Sequence, residues 1–417
     1  MRWLQDEELW EVILTHIVPG TGDLSGEERQ KWIHDKGPQS VLVSHETVKA
    51  KIVVSAVGRL VEPNAFPASI PGHEQFEGRI VHLARWKTDL DLAGKDVVVV
   101  GTGCSAAQCV PALTQAPYNV KSVTQIMRSP PWVSPGSLPP EVRKKWEKWT
   151  PLLFGNIPGL ARACRFLLFC ITEIDFFKYF RDSPRNQRER EKLEANLLNH
   201  MKKSVPEKYH EILTPDYSVA CKRRIFDDAW FSALHDPRIE LTTRPLTSVQ
   251  ARGITLGPGR MFPDSKDTAS RAPMDEVKRP ADVILLANGY DLMKLLHPMK
   301  VRGKGGLLLQ EVWDERGGTQ AYMGAAMDGF PNLFLIFGPN TATGHSSVIL
   351  ATENMVNYSL HFIKKILAGD VTTVEVKKAA EIAWTQEMQE QLKHGVMGSD
   401  CRSWYKTSSG WNSTVYP

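Results

Sequence analysis

The sequence is poor in the features that would commit it to a metal, a secretory route or a hydrolytic site. Its six cysteines, at 104, 109, 164, 170, 221 and 401, form no CxxC pair and no zinc spacing, so reduced thiols in a cytosolic protein are the expectation. The opening Met-Arg-Trp-Leu-Gln-Asp-Glu-Glu has no apolar signal core, and no run approaches a charge-free membrane span. The nearest candidate, Leu152 to Phe180, is broken by Pro158, Arg162, Arg165, Glu173 and Asp175 and reads as a buried amphipathic helical element. Without a secretion signal the sequons at Asn357 and Asn412 carry little weight. There is no Gly-x-Ser-x-Gly elbow, no HExxH metal helix and no Tyr-x-x-x-Lys pair near a plausible substrate site, which sets aside hydrolases and simple reductases. A net charge of +4 is too mild to predict nucleic-acid or membrane binding, and 417 residues that are 42% hydrophobic can bury the cores of two or three domains.

The chain is organised around Lys95-Asp-Val-Val-Val-Val-Gly-Thr-Gly-Cys-Ser-Ala-Ala-Gln108. The consecutive valines predict a buried parallel strand, and Gly101-Thr102-Gly103 predicts a tight turn into a helix starting near Ser105. A dinucleotide pyrophosphate suits that turn. Gly101 allows the bend, Gly103 lets phosphate approach the backbone, and the first helical amides add donors at the positive end of the dipole. Candidate nucleotide contacts are therefore Gly101, Thr102, Gly103, Cys104, Ser105, Ala106, Ala107 and Gln108. Ala106 fills the third fingerprint position, and Cys104 reads as a small filler rather than a nucleophile. A purely structural strand-to-helix turn is the competing reading. The next strand, Val120 to Met127, runs into Arg128-Ser129, where an NAD site would carry an acid for the ribose hydroxyl. Arg128 suits a ribose 2'-phosphate instead, with the Ser129 hydroxyl as a second donor, so NADPH is expected over NADH.

Elsewhere, Trp10 to His16 alternates like a strand, and Val48 to Gly58 reads as another that ends in a small-residue turn. Pro63, Pro67 and Pro71 stiffen a linker. From Pro130 to about Ser218 the pattern is mostly helical, and the alternating charges at Arg185 to Lys192 read as a solvated helix face. Ala281 to Asp291 is a buried strand closing on Gly289, and Phe330 to Ser347 is an apolar strand followed by a loop.

The pattern Phe76-x-Gly78-x-x-x-His82-x-x-x-Trp86, directly before a Gly-x-Gly turn, resembles the fingerprint of the Baeyer-Villiger monooxygenases. These are FAD enzymes that use NADPH to insert an oxygen atom from O2 beside a ketone, giving an ester or lactone. Lys87 stands where the family usually has Pro or Asp. The resemblance implies an α/β, two-dinucleotide-binding-domain flavoprotein architecture: 1–91 as the first FAD segment and linker, 92–135 and 219–295 as two parts of an NADPH Rossmann domain, 136–218 as a helical insertion, and 296–417 as the C-terminal FAD segment. It gives Phe76, His82 and Trp86 a positioning role. Cys221-Lys222-Arg223-Arg224-Ile-Phe226 resembles the segment that returns basic side chains to the active site, which implies Arg223 as the catalytic arginine and Lys222 as a phosphate contact. Read bare, those basic residues are a surface patch. Negative charge building on the oxidant and then on the adduct needs a fixed cation, and a guanidinium in a closed site supplies roughly a few kcal/mol. By the same resemblance Asn288-Gly289 leads back to the FAD domain, and the backbone around Asn340 runs under the flavin. The tail with Cys401, Trp404 and Tyr405 resembles fungal members, so secondary-metabolite biosynthesis is expected.

The family's FAD turn should open the chain, yet Gly20-Thr-Gly22 and Gly26 lie in a polar segment with no apolar strand before them. The FAD domain is therefore expected to be incomplete at its N-terminus, through a start placed too late, a decayed gene copy, or a shortened protein that acts without flavin. Two functions stand side by side: an FAD- and NADPH-dependent monooxygenase, and a truncated, non-catalytic NADPH-binding remnant or interaction module. The partners expected of the first are a small ketone and O2, with no nucleic acid and no membrane, in the cytoplasm.

Overall fold

The valine run forms the strand Asp96–Val100 at the middle of a five-stranded sheet. In spatial order the sheet is Ile239–Thr242, Ser122–Ile126, Asp96–Val100, Val283–Leu286 and Arg79–His82, every neighbouring pair parallel. In this computed structural model every residue is described except 23, 25, 87–88, 137–139, 228, 263–272, 399–402, 404, 408 and 417. Lys87, Cys401 and Trp404 thus lie outside the described residues.

Strand side chains alternate between faces, and both faces here are covered, which is why the strand reads as unbroken valine. Val97 and Val99 join the core that holds Ala106, Val110, Leu113 and Trp230. Val98 joins the opposite core with Ile254, Leu256 and Ile284. That second face is closed by an antiparallel sheet of Leu246–Gln250, Gly253–Leu256 and Val277–Pro280. The edge strand Arg79–His82 belongs to the parallel sheet although it precedes position 92.

The other unit is built on an antiparallel sheet, Arg2–Leu4, Leu9–Ile17 and Leu42–Ala50, beside the parallel pair Val53–Ser55 and Leu333–Leu335. The strand expected from Val48 to Gly58 is two strands, Leu42–Ala50 and Val53–Ser55, which belong to different sheets. Trp3, Trp10, Trp313, Phe330 and Leu333 fill this core. The indole N–H of Trp10 donates to the Pro331 carbonyl at 2.8 Å, which satisfies its one polar atom. Helices Leu309–Glu315, Val348–Ala368 and Lys378–Lys393 complete the unit, and Gly369 ends the second of these at φ 82°.

Between Ser134 and Ile225 the chain forms helices Pro140–Asn156, Leu160–Tyr179 and Pro184–Ser204. The last begins with Ser183 accepting from the Asn186 amide at 3.1 Å and proline in its first turn, a strong start signal. Its charged run is mostly solvated as expected, except that Arg190 is buried and donates to the Tyr179 and Arg181 carbonyls at 3.2 and 2.9 Å. The expectation of a buried element from Leu152 to Phe180 is overturned: the stretch belongs to two helices, and no described residue from 141 to 180 is buried. The pattern was amphipathic, but periodicity states which face is apolar and not whether the rest of the chain covers it.

Candidate functional site

Strand Asp96–Val100 delivers Gly101 to the carboxyl edge of the parallel sheet. Gly101 has φ 122°, and a Cβ there would come within 2.6 Å of the Ala287 carbonyl oxygen, so a side chain does not fit between the two strand ends. Its amide donates to the Ile126 carbonyl at 2.9 Å and its own carbonyl accepts from Gln125 Nε2 at 3.0 Å. The fully buried Gln125 is fixed in turn by Trp230, whose indole N–H donates to Gln125 Oε1 at 2.9 Å. The turn is therefore braced from below by side-chain hydrogen bonds as well as by the sheet.

Gly103 opens the helix Cys104–Leu113. No side chain caps this end, and a Cβ on Gly103 would meet nothing within 4 Å. Uncapped helical amides facing open space are the arrangement that seats a phosphate. Cys104, Ser105 and Gln108 are exposed around it, whereas Ala106 and Ala107 are fully buried against the sheet. The Ala107 amide is spent on the Gly103 carbonyl at 3.0 Å, which leaves this residue no donor for a ligand.

The next strand brings Arg128 and Ser129 to the same edge. Thr102 Oγ1 donates to the Ser129 carbonyl at 3.3 Å, tying the glycine turn to the end of the neighbouring strand. Lys222 Nζ donates to Ser129 Oγ at 3.3 Å and lies 4.1 Å from the centre of the Tyr217 ring. Burial, and then the nearby Arg128 charge, hold the Lys222 ammonium below its ordinary pKa, opposed only by Asp216. Lys222 on the Ser129 hydroxyl, with the Arg128 charge close enough to be felt by it, suits a multiply charged anion.

Arg223 is exposed, between the half-buried Lys222 and Arg224, in the loop just after Ala220, a buried alanine at φ 72°. Phe180, Lys222, Arg223, Arg224, Met397 and Tyr405 line a cleft of only about 10 Å³ there, room for barely one water. The Tyr405 phenol is pushed up to about 12 by burial, against the pull of Arg223. Arg224 is held below its ordinary value, by burial first, with Asp175 opposing. Asn340 lies apart from this group, in the other unit. It has φ 53°, its amide donates to the Ser413 carbonyl at 2.8 Å, and its side chain donates to the carbonyls of Asn412 and Val415 at 2.8 and 2.9 Å. Its backbone N–H and its side-chain donors are thus given to the C-terminal segment.

The Phe76–Trp86 pattern borders the crossing at Gly289. His82 Nδ1 accepts from the Ala84 amide at 3.0 Å, so the proton sits on Nε2, which donates to the Gly289 carbonyl at 3.1 Å. A Cβ on Gly78 would lie 2.1 Å from the Asp282 carbonyl oxygen. The two crossings between units are also paired with each other. The amides of Asn64 and Asp291 donate to the carbonyls of Gly289 and Glu62 at 3.0 and 2.9 Å, and Asn288 Nδ2 donates to the Ala65 carbonyl at 3.0 Å.

Several site residues gave little warning in the sequence. Gln125 and Trp230 could be suspected, since a lone amide inside an apolar strand needs a partner. Arg59 could not: it is 4% exposed, and it donates to the Gly338 carbonyl at 2.7 Å and to Ser413 O and Thr414 Oγ1 at 3.0 and 3.1 Å. Burial pushes it down to about 10, and its Nε–H has no partner. The expectation of reduced thiols holds for Cys104, Cys109, Cys164 and Cys170 and fails at Cys221, which is disulfide-bonded. Spacing along a chain does not report which thiols the fold brings together. Among the described residues no cluster could hold a metal ion.

No family model matches the chain. It is 30% identical over 393 residues to a Baeyer-Villiger monooxygenase of Streptomyces coelicolor, covering 94% of this chain and 69% of that protein. A Baeyer-Villiger monooxygenase of Pseudomonas aeruginosa is 30% identical over 400 residues, 95% of this chain and 68% of the other. An FAD-binding monooxygenase of Aspergillus niger is 30% identical over 375 residues, 87% of this chain but 56% of that protein. Among solved structures, cyclohexanone monooxygenase from Rhodococcus bound to NADP+ has a TM-score of 0.69 at 22% identity, covering 99% of this chain and 74% of that one. OTEMO in complex with FAD and NADP has a TM-score of 0.69 at 20% identity, covering 100% and 75%. These structures share the two-dinucleotide-domain fold.

Proposed function

This chain belongs to the Baeyer-Villiger monooxygenases, and on that premise we propose that it acts in FAD- and NADPH-dependent insertion of one oxygen atom of O2 beside a ketone carbonyl. The observation that carries the reading is the convergence of the Gly101–Gly103 turn, Ser129 and Lys222 at one sheet edge. The segments 92–135 and 219–295 form the nicotinamide-nucleotide domain in this reading, joined by the edge strand Arg79–His82, with 136–218 as its insertion and the rest of 1–91 and 296–417 on the flavin side.

NADPH fits the residues present. The uncapped amides at Gly103 and Cys104 would hold the pyrophosphate, and Arg128, Ser129 and Lys222 the 2'-phosphate. The Lys222 cation, made costly by burial and by Arg128, is relieved by such a phosphate. For FAD the fit is partial. Among the described residues the flavin-side unit offers a two-stranded parallel pair and the buried Arg59 with an orphaned Nε–H, but no Gly-x-Gly turn at a strand end. FAD, when bound, supplies the activation of O2. Arg223 supplies a permanent cation for the negative charge that develops on the substrate oxygen. His82 and the paired linkers hold the units in register and do not react.

The ketone is a small molecule, and kinship with the Aspergillus niger protein supports a place in fungal secondary-metabolite biosynthesis. The cytoplasm is part of this reading, and the disulfide at Cys221 is the feature that sits least well with it. Purified protein titrated with NADPH and NADH, with its visible spectrum recorded and ketones supplied, tests the proposal. Yellow protein that prefers NADPH and forms ester supports it. Colourless protein that still binds NADPH favours the non-catalytic remnant, and loss of the NADPH preference removes the assignment of Arg128 and Lys222.

A further inference from the structure

Helices Pro140–Asn156 and Leu160–Tyr179 adjoin, and each carries an apolar stripe that no described residue covers. On the first, Val142, Trp146, Trp149 and Leu153 recur at helical spacing along one face and are 46, 50, 52 and 44% exposed. On the second, Leu167, Ile171 and Ile174 form a like stripe, 60, 47 and 52% exposed, flanked by Phe166 and Phe177. Helices take most of their stability from burying such a face, so a stripe left in water on two adjoining helices marks a docking surface.

Charge decides what docks. Residues 141–181 hold eight Lys and Arg against four Asp and Glu, a net +4 in a tenth of the chain that equals the formal charge of all 417 residues. Lys144, Lys145 and Lys148 are exposed and interleave with Trp146 and Trp149. Protein–protein interface cores are depleted in lysine, whereas helices lying in a lipid interface set Trp, Phe and Leu on one side and Lys and Arg on the other. Among the described residues no helix is long and apolar enough to cross a membrane, so the geometry is that of lying on the surface. We propose that this helix pair docks the protein on an anionic lipid surface, with the Trp146–Trp149 and Leu167–Ile171 stripes in the acyl boundary and the lysines at the headgroups.

The test is flotation of the full chain with phosphatidylcholine vesicles, with and without phosphatidylserine, alongside sedimentation velocity without lipid. The proposal expects flotation with phosphatidylserine vesicles that weakens in high salt. Lys144→Gln/Lys145→Gln/Lys148→Gln should weaken it roughly 100-fold, from about 1 kcal/mol per cation near the surface. Trp146→Ser/Trp149→Ser should weaken it by roughly tenfold or more. All these side chains are exposed, and an unchanged circular dichroism melt shows the variants folded. No flotation with anionic vesicles, or equal flotation with both vesicle types, overturns the proposal. So does self-association without lipid that Trp146→Ser/Trp149→Ser abolishes, which would make this face a contact between copies of the chain.

Discussion

Lys222 reaches back across 93 residues to the hydroxyl of Ser129 at 3.3 Å, which fastens the chain returning from the helical insertion to the strand end beside the glycine turn. Lys222→Ala removes one charge-assisted contact from the proposed 2'-phosphate seat. NADPH affinity should fall roughly 10- to 100-fold, as expected for about 1.5–3 kcal/mol, while NADH affinity stays level. Nucleotide titrations monitored by fluorescence measure both. An equal loss for the two nucleotides would assign Lys222 to the shared part of the cofactor.

Gly101→Ala places a methyl group 2.6 Å from the Ala287 carbonyl oxygen at a φ of 122°. The strain and the clash together should cost roughly 2 kcal/mol or more and displace the turn, so both melting temperature and NADPH binding drop. Gly103→Ala meets open space and leaves the fold intact. It should weaken nucleotide binding with no change in melting temperature, which separates the seat from the scaffold.

His82 carries a pH signature. Burial, the dominant influence, holds its folded pKa below the ordinary 6.5. The unfolded chain therefore binds the proton more readily, and stability is complete above pH 6.5 and declines as acid carries the group down through its folded value. His82→Gln, which cannot take the proton, should flatten the decline in urea midpoint measured from neutral pH downward. An unchanged slope would place the acid sensitivity elsewhere.

Arg59→Ala leaves the Gly338 and Ser413 carbonyls and Thr414 Oγ1 buried without their donor. Loss of about 3 kcal/mol is expected, read as a lower denaturant midpoint with NADPH binding kept, because the damage falls on the unit that does not hold the glycine turn.

The glycine turn, its strand and the basic end of the neighbouring strand were legible because each has a local cause. Four valines demand burial on both faces, two glycines permit the bend, and the residue after a strand lies at its edge. Ala107 shows the limit: it belongs to the motif, yet its side chain faces the sheet and its amide is used within the helix. Arg59 and Tyr405 were not legible. The carbonyls around Arg59 and the Arg223 beside Tyr405 come from distant segments, and nothing near either residue in sequence announces a buried cation or a raised phenol. For a related reason the stretch from Leu152 to Phe180 reads as buried and is not, since an apolar stripe carries no information about whether anything covers it.

The linkers at 62–65 and 288–291 have a mechanical meaning. Each crossing is hydrogen-bonded to the other, so a strain that peels one of them loosens its neighbour. A substrate or nucleotide that changed the angle between the two halves would therefore have to work this ribbon together with the outlying ties between them, such as Arg165 on Glu353 and His345 on Glu173.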